Sequence, residues 1–302
     1  MALPAIYINE NAAREHLEAL LWPDGPICPH CGVIDQATRL KGKSTRPGLL
    51  KCRECEKPFS VTVGTVFERS KIKLHLWVYA THLLTSSKKG ISSHQLGRML
   101  GVTYKTAWFM THRIRESMRP TELTPMGGNG GVIEVDETFV GKLEGQKPGL
   151  KGGWAHKNVV LTLVERGGIA RSFHIDSTSI SDIVPIVRTN VRRESKLMSD
   201  EAPQYKMRRK EYAEGSGAVV HRNDEYVRGE IHTNTVEGYY SIFKRGMKGI
   251  YQHCSEKHLH RYLSEFDFRY SNRIALGVDD AMRADKALQG ITGKRLTYRR
   301  PD

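Results

Sequence analysis

The order of hydrophobic and polar positions divides this chain into regions of different character. Residues 74–87 and 92–116 carry apolar side chains at the three- and four-residue spacing of a helix. After residue 131 the pattern changes, and short strand-like runs alternate with helix-like segments. The stretch between the two patterns is rich in proline and glycine, which interrupt regular structure. We therefore predict four segments, which are 1–70, 71–119, a linker at 120–131, and 132–302.

Residues 92–116 predict two short helices joined by a tight turn. Ser92 or Ser93 can cap the first helix, and Gly101 can form the turn that ends it. Thr103 can cap the second helix. The apolar stripe of the second helix contains Ala107, Met110 and Ile114, and its other faces carry Lys105, His112, Arg113 and Arg115.

This arrangement is typical of a helix-turn-helix, whose second helix enters the major groove of DNA. We therefore expect Lys105, Arg113 and Arg115 to contact DNA. The alternative interpretation is a helical hairpin that only packs on its neighbours, because such hairpins are common.

Four of the five cysteines lie in two closely spaced pairs. Cys28 and Cys31 form one C-x2-C pair, Cys52 and Cys55 form the other, and twenty residues separate the pairs. Four thiolates complete the tetrahedral coordination of a structural zinc ion and leave no open position for catalysis. We therefore predict a zinc ribbon with a β-hairpin between the pairs, in which zinc supplies on the order of 10 kcal/mol of folding free energy. Two unrelated pairs of free cysteines are the alternative, and Cys254 is expected to be an ordinary thiol.

The pattern after the linker predicts strands that end at acidic residues. The first strand begins at Val132 and ends at Asp136, with Glu134 on the same face, and a later short strand ends at Asp200. Between them the sequence predicts a hairpin at 154–176 with its turn at Gly167-Gly168, and a helix at 179–191.

A last amphipathic helix is predicted from residue 232 to 248. Its core-facing positions are Val236, Tyr240, Phe243 and Met247, and its other face carries Glu237, Ser241, Lys244 and Lys248. The resulting order is a strand with an acid, a hairpin, a helix, a second strand with an acid, and a helix with an acid. This is the order of an RNase H-like domain. The predicted fold class is therefore α/β, with an RNase H-like catalytic domain preceded by a zinc ribbon and a helix-turn-helix.

Charge and composition narrow the class of partner. The net charge is +14 and the isoelectric point is about 9.6, an excess that attracts polyanions such as nucleic acid, although a merely basic enzyme is the alternative. The mean hydropathy of −0.48 is typical of a soluble protein. No apolar run approaches the length of about 18 residues that a membrane span needs. The first 25 residues carry acids where a signal peptide needs a basic start, so we expect a cytoplasmic protein associated with the nucleoid.

The acids have the chemistry that phosphoryl transfer requires. Two divalent ions about 4 Å apart activate the attacking oxygen and stabilise the leaving oxygen in an in-line displacement. Magnesium prefers carboxylate oxygens, so we expect Asp136, Asp200 and Glu237 to bind it. Taken singly, each acid also fits a strand-end turn or a helix cap, since Asn234 and Glu237 have the spacing of a capping box.

Several motifs resemble those of one known family. They are the CPHC and CREC pairs, VTVGTVFERSKI at 61–72, EVDETFVG at 134–141, SDE at 199–201 and HTNTVEGYYSIFKRGMKGIY at 232–251. With them the chain is similar, over nearly its whole length, to bacterial insertion-sequence transposases with an N-terminal zinc ribbon and a DDE-type RNase H-like domain, which are relatives of the eukaryotic Merlin elements. The resemblance implies cleavage at element ends, strand transfer into double-stranded target DNA, Mg²⁺ or Mn²⁺ as cofactor, and a homo-oligomer on paired ends.

The resemblance also assigns roles to single residues. Asp136 is the first acid and Asp200 the second. The third position in this group is glutamate or asparagine, so Glu237 is the candidate and Asn234 its rival. Lys244, two helical turns beyond Glu237, is expected to contact a DNA phosphate near the cut.

Two further basic features are candidates to contact DNA, and one position departs from the family pattern. Lys248 continues the face of Lys244, and the lysine-bearing loop at 141–153 is a candidate to follow the DNA backbone. Gly141-Lys142 departs from the paired glycines that the family pattern leads us to expect, which affects only the loop.

Two other functions remain as alternatives. A non-catalytic DNA-binding regulator would need only the zinc ribbon and the helix-turn-helix. A nuclease or resolvase with the same fold would cut DNA without joining the ends.

Overall fold

The computed structural model describes residues 3–145, 154–206, 208–219 and 227–297. Most of the loop at 141–153 lies outside these residues, so its expected contact with DNA stays a prediction. The chain forms two units, one of which runs from Pro120 to Val278. The other contains the described residues up to Arg119 together with those from Asp279 onward. Within the described ranges, no helix combines the length and the apolar composition that a bilayer crossing demands.

The cysteine-bearing part of the first unit contains a small antiparallel sheet. The strands β1 (Ala37–Arg39), β2 (Leu50–Cys52) and β3 (Pro58–Phe59) lie in that order, and Ala37 pairs with Cys52. The hairpin between β1 and β2 is the one predicted between the two cysteine pairs. Leu50 and Phe59 form a small core with two of the cysteines, which is too little apolar surface to hold this region together by itself.

Four helices of the first unit precede the linker, which are α1 (Glu10–Leu21), α2 (Leu74–Ser86), α3 (Ser93–Leu100) and α4 (Tyr104–Met118). The predicted caps are confirmed, because the side chain of Ser92 accepts a hydrogen bond from Gln95 N–H and that of Thr103 from Thr106 N–H. Gly101 adopts the left-handed conformation, with φ of 66°, that lets the chain leave α3 and turn into α4.

A five-stranded mixed sheet forms the centre of the second unit. Its strands are β4 (Val132–Val140), β5 (Asn158–Glu165), β6 (Ala170–Ile175), β7 (Lys196–Ser199) and β8 (Gly217–Ala218). They lie in the order β6-β5-β4-β7-β8. The first three are antiparallel, whereas β7 is parallel to β4 and β8 is parallel to β7. The central strand β4 therefore lies between the hairpin and β7, as the predicted order of elements requires.

Helices cover both faces of this sheet. They are α5 (Ile180–Asn190), the short α6 (Pro203–Lys206), α7 (Asn234–Gly246), which continues as a π-helical turn to Tyr251, and α8 (Leu259–Ser271). A two-stranded ribbon, β9 (Val227–Arg228) and β10 (Ile231–His232), leads into α7. One face of β4 and β5 packs with Ile183 of α5, and the other packs with Val236 and Phe243 of α7. The second unit is thus a layered α/β structure around a mixed sheet.

The last helix, α9 (Asp280–Gln289), belongs to the first unit. It contacts α1, α2 and α4, and it buries Ala284, Ala287 and Leu288. All residues from 132 to 302 were expected in the sheet-containing domain, and this expectation is corrected, because the residues from Asp279 onward belong to the first unit. The reason is that the apolar stripe of α9 finds its partner on α2, a pairing that a hydrophobic pattern alone does not specify.

Candidate metal centres

The four paired cysteines converge in the first unit. Their four Sγ atoms lie within 4.8 Å of one another. The Sγ atoms of Cys28 and Cys55 are 3.7 Å apart, and those of Cys31 and Cys52 are 3.6 Å apart. A tetrahedral zinc with Zn–S bonds of about 2.3 Å requires sulfur separations of about 3.8 Å. The arrangement therefore fits a structural zinc ion.

Local backbone geometry brings each pair into position. Cys28 N–H donates to Val33 O at 3.0 Å, and Gly32 N–H donates to Cys28 O at 2.9 Å. Gly32 has a φ of 77°, which an L side chain rarely adopts. In the second pair, Cys55 N–H lies 3.5 Å from Cys52 Sγ. Both pairs therefore lie in tight turns. In the first pair, backbone N–H groups close the turn by donating to carbonyl oxygens, and in the second pair an N–H group points toward a sulfur atom.

The thiols influence one another strongly. Burial opposes ionisation of Cys28, but hydrogen bonds from the backbone of His30 and Cys31 and from neighbouring thiols outweigh it and lower the pKa of Cys28 to about 6. The backbone of Val33 favours the Cys31 thiolate, yet burial and the neighbouring thiols raise the pKa of Cys31 to about 12. The Cys28 thiolate therefore forms easily and the Cys31 thiolate with difficulty, and a bound dication would stabilise both thiolates.

The acidic residues lie on three elements of the second unit. Asp136 is on β4, Asp200 directly follows β7, and Glu237 is in the first turn of α7. Burial raises the pKa of the Asp136 carboxyl to about 8, and the charges of Glu137, Asp200 and Glu237 act in the same direction, opposed by the N–H of Glu137. The fold therefore brings Asp200 and Glu237 close enough to affect the ionisation of Asp136.

The three acids do not form a closed cluster. Among the described residues, the cysteines are the one set of three or more histidine, cysteine, aspartate or glutamate side chains arranged to hold a metal ion. Each acid accepts a local hydrogen bond: Asp136 from Glu137 N–H at 2.8 Å, Asp200 from Ala202 N–H at 3.0 Å, and Glu237 from Thr233 Oγ1 at 2.8 Å. Ionised carboxylates repel one another. Each of these acids accepts a hydrogen bond from a residue close to it in sequence and does not lie directly against another of the three acids.

A fourth acid, Glu137, was missed by the sequence analysis. Its Oε1 accepts hydrogen bonds from the hydroxyl of Tyr205 and from Gln204 Nε2. Burial raises the pKa of Glu137, these hydrogen bonds oppose the rise, and the charge of Asp200 adds to it. Strand alternation places Glu137 on the face opposite Asp136, so the pattern gave no reason to group the two.

The hydroxyl of Tyr240 fixes the backbone beside Asp136. It donates to Asp136 O at 2.5 Å, and Tyr240 itself is buried on α7. Tyr240 was predicted only as a core residue, and its contact shows that the core face of α7 lies directly against the part of β4 that carries the first acid.

The basic residues predicted to contact DNA separate into two groups. Lys105, Lys244 and Lys248 are exposed. Arg113 and Arg115 are 9% and 1% exposed, so the expectation that they contact DNA is corrected. Arg113 donates to Leu296 O and Glu68 O, and Arg115 donates to Thr111 Oγ1. The single apolar stripe suggested an open face, but α4 is enclosed on several sides, and both guanidinium groups bond within the first unit.

The opposite faces of α7 match the predicted pattern. Val236, Tyr240 and Phe243 are buried, and Met247 is partly buried beside them. Glu237, Ser241, Lys244 and Lys248 are exposed, and the rival third ligand Asn234 is exposed as well. Exposure alone therefore does not separate Glu237 from Asn234. The charge of Glu237 contributes to the raised pKa of Asp136, an effect that a neutral asparagine cannot have in any position.

Comparison with known proteins defines the class to which these two units belong. Residues 8–58 match the model of a transposase zinc-ribbon domain, and residues 129–271 match that of an ISXO2-like transposase domain. The first match contains all four cysteines, and the second contains all three acids. Together the two domains imply a protein that binds DNA.

A relative supports this class over most of the chain. The chain is 26% identical over 277 residues to an uncharacterized protein in transposable element ISH50 of Halobacterium salinarum, a match that covers 87% of this chain and 91% of that protein. The chain therefore combines a region that matches a transposase zinc-ribbon domain with a region that matches an ISXO2-like transposase domain.

Proposed function

We propose that this protein is a DDE-type transposase that cuts DNA at the ends of an insertion sequence and joins them to target DNA. Asp136, Asp200 and Glu237 are its metal-binding acids. The observation that carries the proposal is that Asp136, Asp200 and Glu237, which lie far apart in the sequence and on different elements, all fall within the region that matches a transposase domain. Burial and the charge of Glu137 raise the pKa of Asp136, and the charges of Asp200 and Glu237 add to the rise. An acid whose pKa is perturbed in this way is a candidate for a catalytic site.

The topology supports an RNase H-like fold for the second unit. The sequence order of an acid-bearing strand, a hairpin, a helix, a second acid-bearing strand and an acid-bearing helix is present from β4 to α7. Because β7 runs parallel to β4 and beside it, with Glu134 opposite Met198, the chain reaches Asp200 at about the level of Asp136 on the neighbouring strand. Helix α7, which contains Glu237, packs its opposite face against the same strand, where Tyr240 donates to Asp136 O.

The donor set fits hard divalent cations. Carboxylate oxygens are the ligands that Mg²⁺ and Mn²⁺ prefer. A cation would offset both causes of the raised pKa of Asp136, which are burial first and then the charges of Glu137, Asp200 and Glu237. When bound, two such ions supply activation of the attacking oxygen and stabilisation of the leaving oxygen. Asp136, Asp200 and Glu237 offer the oxygens, and Tyr240 holds the backbone of Asp136 in place. Lys244, which is exposed beyond Glu237, would contact a DNA phosphate.

The first unit supplies the surface that binds the element ends. With Arg113 and Arg115 buried, the exposed residues at the start of α4 are the candidates. Tyr104 is 49% exposed and stacks on His94 of α3 with ring centroids 4.1 Å apart, and Lys105 follows it. The N-terminal residues of a recognition helix are the ones that reach base edges. We propose that this surface and the zinc ribbon bind double-stranded DNA, and that the protein acts as a homo-oligomer on paired ends.

The test compares two aspartates of the second unit on DNA that carries the element ends. Asp136→Ala is expected to abolish metal-dependent end cleavage and to retain DNA binding in a gel-shift assay. Asp176→Ala, an exposed aspartate after β6, is the matched control and keeps wild-type cleavage. Cleavage retained in Asp136→Ala overturns the proposal. Cleavage by the wild type without strand transfer assigns the chain to the nucleases instead.

A further inference from the structure

A third acid of β4, Glu134, is fully buried two residues before Asp136. Its Oε2 accepts hydrogen bonds from Thr235 N–H at 2.7 Å and from Val236 N–H at 2.9 Å. Its Oε1 accepts the hydroxyl of Thr235 at 2.8 Å. Glu134 thus occupies the N-terminus of α7, where unpaired N–H groups and the helix dipole favour a negative charge.

In the described part of the chain, helix α7 receives no cap from the side chain of its own N-cap residue. The residue at the N-cap position, Thr233, makes no side-chain cap hydrogen bond, and its hydroxyl donates instead to Glu237 Oε1 at 2.8 Å. The capping box expected from Asn234 and Glu237 is therefore absent, because Asn234 is already the first helical residue. A strand residue distant in sequence provides the cap, and this connects the start of α7 directly to β4.

Arg166 holds the segment that precedes α7. Its Nε donates to Glu134 Oε1 at 2.5 Å, its Nη1 donates to Glu230 O at 2.8 Å, and its Nη2 donates to His232 O at 2.9 Å. The side chain thereby fixes the ribbon leading into the helix, while Glu134 fixes the first turn of the helix. The imidazole Nδ1 of His232 also lies 3.2 Å from Glu134 Oε1.

A buried ion pair is a poor way to gain stability, because burying the charges costs about as much as their attraction returns. The contacts of Glu134 and Arg166 do, however, fix the geometry at the start of α7. Successive residues of a helix are about 100° apart around its axis, so a slip of α7 by one residue would turn Glu237 away from β4. The carboxylate of Glu134 accepts two consecutive N–H groups and permits only one register.

We infer that Glu134 and Arg166 are positioning residues that set the spacing between Asp136 on β4 and the acid-bearing face of α7. The inference rests on the proposed function, since the spacing matters only if these acids share metal ions. Neither residue contacts the metal or the DNA in this scheme. Each acts through the helix that it holds.

The test uses the full chain with its zinc retained and compares Glu134→Gln with Asp267→Asn. The glutamine has the same length but cannot accept hydrogen bonds at both ends of its amide. Asp267 is the matched control, because it accepts three hydrogen bonds, from Ser172 and Tyr239 of the same unit, without touching the start of α7. Both variants are expected to lower the melting temperature of the second unit.

Two measurements separate positioning from general stability. Glu134→Gln is expected to lose hydrogen-exchange protection in the first turn of α7 and to raise the Kd for Mn²⁺, followed by the electron paramagnetic resonance of free Mn²⁺, by about tenfold or more. Asp267→Asn is expected to keep the wild-type value of both. Wild-type Mn²⁺ affinity in Glu134→Gln, or equal weakening in Asp267→Asn, overturns the inference.

A milder variant covers the case in which Glu134→Gln does not fold. Thr235→Val removes one hydrogen bond to Glu134 and is expected to raise the Kd for Mn²⁺ about threefold, the effect of a single such bond. An unchanged Kd in Thr235→Val overturns the inference. If the wild type binds no Mn²⁺, the proposed function fails and the spacing argument fails with it, whereas wild-type binding that both variants retain refutes the positioning role alone.

Discussion

The cysteine cluster of the first unit and the acids of the second are assembled in opposite ways. The cysteines lie between residues 28 and 55, and short backbone turns already place their sulfur atoms within 4.8 Å of one another. The acids lie on β4, after β7 and on α7, and only the packing of the sheet and helix brings them near one another. The cysteine cluster of the first unit is consistent with a structural zinc ion, whereas metal binding by the acids of the second unit belongs to the function that we propose.

This difference follows from the chemistry of the two donor sets. Soft thiolates make strong bonds to zinc, so a small region with few apolar residues can rely on the metal for its stability. Hard carboxylates bind Mg²⁺ loosely and share it with water and phosphate, so the protein must hold them with apolar packing and hydrogen bonds. In the proposed function, the packing of the second unit would therefore hold the acids in place for the metal ions.

The largest expected effect tests the part of the comparison that concerns zinc. Cys52→Ser removes a buried ligand and is expected to abolish zinc binding, with a loss on the order of 10 kcal/mol of folding free energy in the ribbon. Zinc content by atomic absorption and the melting curve measure both effects, and the second unit is expected to keep its own transition. Cys254→Ser is the control and retains zinc. A Cys52→Ser protein with its full zinc content would contradict the assignment.

The next effect tests which residue is the third acidic ligand. Glu237→Gln is expected to lower the rate of end cleavage about a thousandfold, because it removes a charge that stabilises the metal ions. Asn234→Ala, one turn earlier on the same helix, is expected to lower it less than about tenfold, since it removes no charge. Single-turnover cleavage at saturating Mn²⁺ compares them. The opposite ranking makes Asn234 the ligand and leaves Asp136 and Asp200 in place.

A smaller effect tests the raised pKa of Asp136, which is caused mainly by burial and increased by the charges of Glu137, Asp200 and Glu237. The pKa of Asp136 is about 8 in the folded protein and 3.8 for the free side chain, so the folded state keeps a proton that the unfolded state releases. The free energy of unfolding therefore falls as the pH rises from about 4 to about 8, by a few kcal/mol. Urea denaturation in Mg²⁺-free buffer is expected to show Asp136→Asn becoming progressively more stable than wild type over this range. If the difference in unfolding free energy between Asp136→Asn and wild type does not change with pH, the pKa of Asp136 is not raised in the folded protein.

The sequence revealed the cysteine site more completely than the acidic one, and for a physical reason. The two C-x2-C pairs contain all four predicted zinc ligands within residues 28–55. The strands, the hairpin at Gly167 and the amphipathic α7 were also predictable, because periodicity and turn residues are local properties. Glu137 was missed because strand alternation points it away from Asp136, and Glu134 acquires its role only when β4 meets α7. Contacts between distant segments leave no periodic pattern.

The burial of Arg113 and Arg115 on α4 was likewise not predictable from the hydrophobic pattern. The smallest predicted effect tests the difference between these buried arginines and the exposed Lys244. Lys244→Ala is expected to weaken DNA binding by a few-fold and to lower the slope of log K against log salt by about 1, since one phosphate contact is lost. Arg115→Met is expected to lower the melting temperature of the first unit, because Arg115 is 1% exposed and bonds to Thr111, while affinity per folded molecule stays at the wild-type value. Fluorescence anisotropy at several salt concentrations measures both variants. If Arg115→Met instead weakens DNA binding and leaves the melting temperature unchanged, Arg115 contacts DNA. This result would contradict its assignment as a buried structural residue.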